Sequence, residues 1–275
     1  MSVEKKYKKL TDIEHVTMRP GMYIGSTTDA KQRAWVFNED TQKMENKDII
    51  FNPGFVKIFD EIISNSVDEG KRPDSHLNVI KVDINRETGE IKSWDNGGIP
   101  VVMHKEENQY VPEMIFSELR SGSNFNDEDD ERTWVGTNGV GSTVTNIFST
   151  EFHVETADGK NKFTQTFTNN STVKTEPKIK AIKQNYTQIT FTPDYEKLNT
   201  TLHEGNYAKL VKRVYDIAGC NPNMKVYLNG ELIKIKSFKD YVSLFADDFC
   251  YEENEDWKVA IGSSDGSFKQ ISFVN

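Results

Sequence analysis

Three short stretches of this chain carry side chains whose type and spacing suit chemistry. In the first, Glu61, Asn65 and Asp68 stand at i, i+4 and i+7, which puts them on one helical face beside the apolar stripe of Phe55, Ile58, Phe59, Ile62, Ile63 and Val67. Such a triplet either meets a polar ligand or, as in many surface helices, faces solvent. The second stretch is Asp95-Asn96-Gly97-Gly98-Ile99-Pro100, where two glycines let backbone approach a flat ligand closely. It reads as a plain turn, or as a site where the aspartate accepts a hydrogen bond from the exocyclic amine of adenine while Ile99 and Pro100 form an apolar wall. The third, Gly136-Thr137-Asn138-Gly139-Val140-Gly141-Ser142-Thr143, leads into a helix, so backbone N–H groups and a positive helix end can face a phosphate. It is not a P-loop, because Ser142 stands where that motif requires lysine. Nor is it a dinucleotide fingerprint, because Val144 stands where the last glycine belongs.

The elements that must position these stretches follow from periodicity. Asn52-Pro53-Gly54 starts a helix from about Pro53 to Glu69, ended by Gly70 and Pro73. Strands at Asn78 to Asn85 and Glu90 to Trp94 flank the turn Glu87-Thr88-Gly89, and a short helix follows from Val111 to Arg120. The acidic stretch from Asn124 to Arg132 lacks apolar residues and reads as a mobile loop. A glycine-led helix spans Asn138 to Ser149. Strands follow at Glu151 to Thr156, Lys162 to Thr168, Ser171 to Thr175 and Thr187 to Phe191. A helix from His203 to Ala218 precedes strands at Lys225 to Leu228 and Glu231 to Ile235, with a last pair near Trp257 to Ile261 and Phe268 to Phe273. Gly25 to Lys47 is polar and poorly periodic, and reads as an extended connection. The class is α+β with a mixed, largely antiparallel sheet, and the chain is expected to be a piece of a longer protein.

Composition limits what these elements can do. No apolar run is long enough to cross a bilayer, and the lysine-rich start has no apolar stretch behind it, so neither secretion nor a membrane partner is expected. Cys220 and Cys250, in no metal-ligand spacing, fit a reducing cytoplasm. The five histidines are scattered, and no zinc site is expected. A net charge of -9 should repel a DNA backbone, so any DNA contact is local or lies elsewhere; Lys5, Lys6, Lys8 and Lys9 are either a nucleic-acid arm or simply solvated.

Taken in order, the three stretches resemble the motifs of the Bergerat-fold (GHKL) ATPases. Arg19-Pro20-Gly21-Met22-Tyr23-Ile24-Gly25-Ser26, Lys57-Ile58-Phe59-Asp60-Glu61-Ile62 and Asn146-Ile147-Phe148-Ser149-Thr150 resemble type II DNA topoisomerases. With Ser123-Asn124-Phe125 and the acidic loop after it, the pattern is most similar to the eukaryotic and tailed-phage branches, the phage large subunit above all. The resemblance implies a two-layer sandwich with helices on one face of the sheet. It implies an arm and connection over residues 1–50 and an ATPase domain over 51–275, with ATP and Mg2+ as cofactors. Glu61 is then the general base, Asn65 holds the metal, Asp68 also meets the nucleotide, and Asp95, Gly97, Ile99 and Thr187 take the adenine. Gly122, Ser123 and Asn124 touch ribose and phosphate; Gly136, Thr137, Asn138, Gly139, Val140, Gly141, Ser142 and Thr143 cradle the phosphates; Tyr23 reaches a partner's nucleotide. The implied partners are a second copy joined through the arm when ATP is bound, further topoisomerase subunits or domains, and DNA in the whole enzyme. The implied place is the cytoplasm, that of a bacterial host for a phage protein. Two departures stand out: Gly97 and Gly98 are adjacent, which shortens the adenine loop by one residue, and Tyr186 replaces the usual glycine before Thr187. A MutL-like or Hsp90-like ATPase should lack the Arg19 to Ser26 signature, and a non-hydrolysing ATP-gated clamp has no need of Glu61.

Overall fold

The computed structural model describes residues 7–122, 136, 138–264 and 266–273. Helix α1 (Asp12–Met18) opens with a reciprocal cap between Thr11 and Glu14. Strands β1 (Ala30–Asn38) and β2 (Lys43–Phe51) form an antiparallel hairpin. Helix α2 (Pro53–Gly70) is capped by Asn52, whose side chain accepts from the Phe55 N–H at 2.9 Å, with Pro53 in the first turn. Then come β3 (Val79–Ile84), β4 (Ile91–Asp95), the small pair β5 (Met103–His104) and β6 (Gln109–Tyr110), α3 (Val111–Ser117) and α4 (Gly141–Ile147). The rest comprises β7 (Ser149–Asp158), β8 (Asn161–Thr168), β9 (Val173–Lys174), β10 (Lys178–Ala181), β11 (Asn185–Pro193), α5 (Glu204–Cys220), β12 (Lys225–Leu228), β13 (Glu231–Leu232), α6 (Phe238–Val242), β14 (Phe249–Glu253) and β15 (Lys258–Gly262).

One nine-stranded sheet runs β10-β8-β7-β11-β4-β3-β12-β13, with β9 beside β8. Its pairings are antiparallel except β12 on β3, so the sheet is mixed, as expected. Burial alternates along β7, β8 and β11, leaving the outer face partly exposed while α2, α4 and α5 cover the inner one. Register aligns the inner residues in three rows. Ile84, Ile91, Phe191, Phe152 and Phe167 form an apolar row; Val82, Ser93, Ile189, Val154 and Gln165 form the next; Ile80, Asp95, Thr187, Thr156 and Phe163 form the third. Phe55, Ile58, Phe59 and Ile63 of α2, all fully buried, share one core cluster with this apolar row. Polarity therefore rises along the strands toward one end of the sheet.

Several expected elements are corrected. The segment from Gly25 to Lys47 is not an extended connection: it contains β1 and the start of β2, which pack on α5, with Val36, Phe37 and Met44 buried and Phe37 stacked on Tyr215 at 3.9 Å between rings. Burial there falls on consecutive residues near the turn rather than on alternate ones, so no period appears in the sequence. Helix α3 stops at Ser117 and α4 begins only at Gly141. Ser171 belongs to a turn in which Asn169, Asn170 and Ser171 all have positive φ, and β9 is shortened accordingly. Strand β10 on the sheet edge carries no alternation and was not expected. Strand β13 ends at Leu232, and β15 pairs with β14, not with Phe268 to Phe273. The expected loop from Asn124 to Arg132 lies outside the described residues.

Candidate active site

The polar end of the sheet, α2, α3 and the first turn of α4 enclose a cavity of about 630 Å³. Glu61, Asn65 and Asp68 all face it, so the α2 triplet meets a concavity rather than open solvent. Asn65 Nδ2 donates to Ser142 Oγ at 2.9 Å, and the Gly136 N–H donates to Asp68 Oδ2 at 2.8 Å. These bonds tie the glycine-rich stretch to α2 across a gap of about 70 residues in sequence. Glu61 is paired with Lys57 one helical turn back, and its other oxygen abuts Gly141, where a Cβ would overlap it. Only glycine lets α4 start this close to the carboxylate.

Asp95 closes the opposite end. Its Oδ2 accepts from the Ser66 hydroxyl at 2.7 Å and its Oδ1 from the Gly97 N–H at 2.9 Å. Burial pushes its carboxyl up to about 6, the Ser66 and Gly97 donors oppose that shift, and Glu69 adds to it. The shortened loop is pinned rather than loose. A Cβ on Gly98 would overlap the Ala157 carbonyl, the Ile99 N–H donates to Thr156 Oγ1 at 3.0 Å, and the Val101 N–H donates to Asp158 Oδ2 at 2.9 Å. Thr156 also shares a hydrogen bond with Thr187 at 2.9 Å. Tyr186 occupies the outer face, stacked on Trp94 and donating to Glu155 at 2.6 Å, which explains why its bulk is tolerated one residue before the cavity wall.

Of the residues singled out in the sequence, Glu61, Asn65, Asp68, Asp95, Ile99, Gly122, Gly136, Asn138, Gly139, Val140, Gly141, Ser142 and Thr187 line this cavity. Three others stand outside its lining. Gly97 holds Asp95 without lining the cavity. Thr143 is 2% exposed and donates to the Glu118 carbonyl at 2.9 Å, locking α4 to the end of α3. Tyr23 lies apart, bonded to His15 at 2.8 Å. Ser123, Asn124 and Thr137 lie outside the described residues. Sequence reading missed Ser66, Thr156, Lys57 and Ser93. Ser64 and Ser66 inside an otherwise apolar-striped helix were the available signal, since serine is a poor interior helix former and often finds a partner.

A sheet covered on one face by helices, with a helix carboxylate and a strand-end aspartate at opposite ends of one cavity, defines the Bergerat class of α+β sandwich. No protein-family model matches the chain. It is similar to the ATPase region of Saccharomyces cerevisiae topoisomerase II, with a TM-score of 0.92 and 39% identity over 98% of this chain and 74% of that one. The ATPase and transducer domains of topoisomerase II from Balamuthia mandrillaris superpose with a TM-score of 0.93 at 38% identity, over 100% of this chain and 73% of that one. DNA topoisomerase 2 of Bombyx mori is 44% identical over 296 residues and that of Caenorhabditis elegans 42% over 291, each match taking in 100% of this chain. The chain belongs to the family of type II DNA topoisomerase ATPase regions. It spans 19% of the length of these two full-length relatives.

Proposed function

We propose that the cavity binds ATP and hydrolyses it, and that in the whole enzyme this drives DNA strand passage by a type II topoisomerase. The observation that carries the reading is convergence: three stretches separated by up to about 80 residues place Glu61, Asp95 and the glycine-rich backbone in the lining of one cavity of about 630 Å³. Asp95, an acceptor with apolar Ile99 and Ile189 nearby, takes the base. The backbone from Asn138 to Ser142 faces the phosphates. Glu61 orients the attacking water and takes its proton; Lys57 fixes one of its oxygens.

Mg2+ fits this donor set. Among the described residues no three carboxylate, histidine or cysteine groups cluster as a metal cage, and magnesium is commonly held by few protein ligands plus phosphates and water. With Asn65 Nδ2 committed to Ser142, its Oδ1 is the oxygen left to hold the ion. The metal supplies charge neutralisation at the phosphates.

We further infer a dimer formed on ATP binding through the arm before Gly25, where Met18 and Met22 are exposed. Tyr23 would lie within reach of the partner's nucleotide. DNA, and the further subunits or domains of the whole enzyme, are partners of the longer protein, and the cytoplasm is the place of action. The tailed-phage branch is the finer placement that the motif pattern supports.

The direct test is ATP hydrolysis with magnesium by the wild-type chain and by Glu61→Ala, with nucleotide binding measured by calorimetry. Both proteins should bind and only the wild type should turn over. The expected loss is at least about 100-fold, in the range of general-base removal. Binding without turnover by the wild type would favour an ATP-gated clamp, and absence of binding would sink the proposal.

A further inference from the structure

Asp95 opposite Thr187 and Ser93 opposite Ile189 form a two-by-two patch on the cavity wall. Three of the four are satisfied. Asp95 is bonded to Ser66 and Gly97, the Thr187 hydroxyl to Thr156, and Ile189 needs no partner. Ser93 is 3% exposed and its Oγ has no hydrogen-bond partner. A buried hydroxyl left unpaired is costly, and its row neighbours Val82 and Ile189 show that an apolar side chain suits this place. Gln165, in the same row, also has an unpaired oxygen, but its amide nitrogen is engaged by the Thr175 carbonyl and it does not line the cavity.

We propose that Ser93 is a base-specificity residue. With an adenine nucleotide bound, its hydroxyl donates to ring nitrogen N1, directly or through one water, while Asp95 accepts from the adjacent amino group. The proposal rests on the ATP reading above. Adenine shows a donor and an acceptor side by side on this edge, and guanine shows the reverse pair. An ionised carboxylate can only accept, so it matches the amino group; a hydroxyl can donate, so it matches N1. Ser93 sits two residues from Asp95 on the same face of β4, about 6.6 Å along the strand, a span that one water closes. Rotation about χ1 between staggered positions is enough to turn the hydroxyl from its unpaired position toward the ligand.

The test compares ADP, which is not turned over, with 1-deaza-ADP, which carries C–H in place of N1. Affinities of both for the wild type and for Ser93→Ala are measured by calorimetry. The wild type should prefer ADP by about five- to tenfold, the usual range for one hydrogen bond. Ser93→Ala should lose that preference and bind 1-deaza-ADP as the wild type does. Without ligand, Ser93→Ala should melt at or above the wild-type temperature, because an unpaired hydroxyl has been removed. An equal preference in both proteins, or a lower melting temperature for the variant, overturns the role of Ser93 and leaves the ATP reading standing. Failure of the wild type to bind ADP at all would bring down that reading, and this proposal with it.

Discussion

At the residue scale the most unusual group is Asp95, a buried carboxylate whose two oxygens accept from the Ser66 hydroxyl and the Gly97 N–H. Its pKa rises from 3.8 to about 6 chiefly through burial. The sign follows from proton uptake: the fold favours the protonated form, so the associated stability is complete below pH 3.8 and is lost as pH rises through about 6. Asp95→Asn, which removes the titration while keeping the shape, should gain stability relative to the wild type across that window, by about 3 kcal/mol at neutral pH. Chemical denaturation of both proteins at pH 4, 5, 6 and 7 reads this directly. A difference that stays flat with pH would mean that Asp95 is not the group being titrated. An ionised acceptor retained at a stability cost is what adenine recognition needs, which links the shifted pKa to the proposed function.

At the element scale, α2 does two jobs with two faces. Its apolar stripe is core, and its polar line is one wall of the cavity. What fixes its position is Asn52, fully buried at the N-cap. Its side chain accepts from Phe55, its Nδ2 donates to the Leu198 carbonyl and to Asp29, both at 3.0 Å, and its N–H donates to Asn206 at 2.7 Å. The cap thus joins α2 to the stretch ahead of α5. Asn52→Ala should cost about 2–4 kcal/mol, the sum of a lost cap and a buried carbonyl left unpaired, and should lower the melting temperature by several degrees. A change within half a degree would show that α2 is positioned by its apolar face alone. The helix itself was readable from Asn52-Pro53-Gly54 and the 3.6-residue stripe, because both signals are local. The β1–β2 hairpin was not, because its burial comes from α5, far away in sequence.

At the scale of the whole molecule, the net charge of -9 and the exposed Met18 and Met22 point in one direction. The net negative charge does not favour DNA by itself, whereas the proposed dimer would cover the exposed Met18 and Met22. Sedimentation velocity with a non-hydrolysable ATP analogue should therefore show a shift from monomer to dimer, and Met22→Asp should suppress it. A chain that sediments identically with and without nucleotide would argue against the arm as the joint.

By itself the sequence determined the α+β class, α2 and its polar line, and the β3–β4 hairpin. It also marked the three stretches around Glu61, Asp95 and Gly136 to Ser142 that reach the cavity, because periodicity, caps and glycine placement act over a few residues. The tertiary structure alone decided which of those side chains meet. Register brought Asp95 beside Thr187, contact across the fold gave Asn65 to Ser142 and Glu61 to Gly141, and burial made Thr143 a lock between helices. It also exposed what no pattern carries, the unpaired hydroxyl of Ser93, since a missing partner is a property of everything packed around a residue and not of its neighbours in the chain.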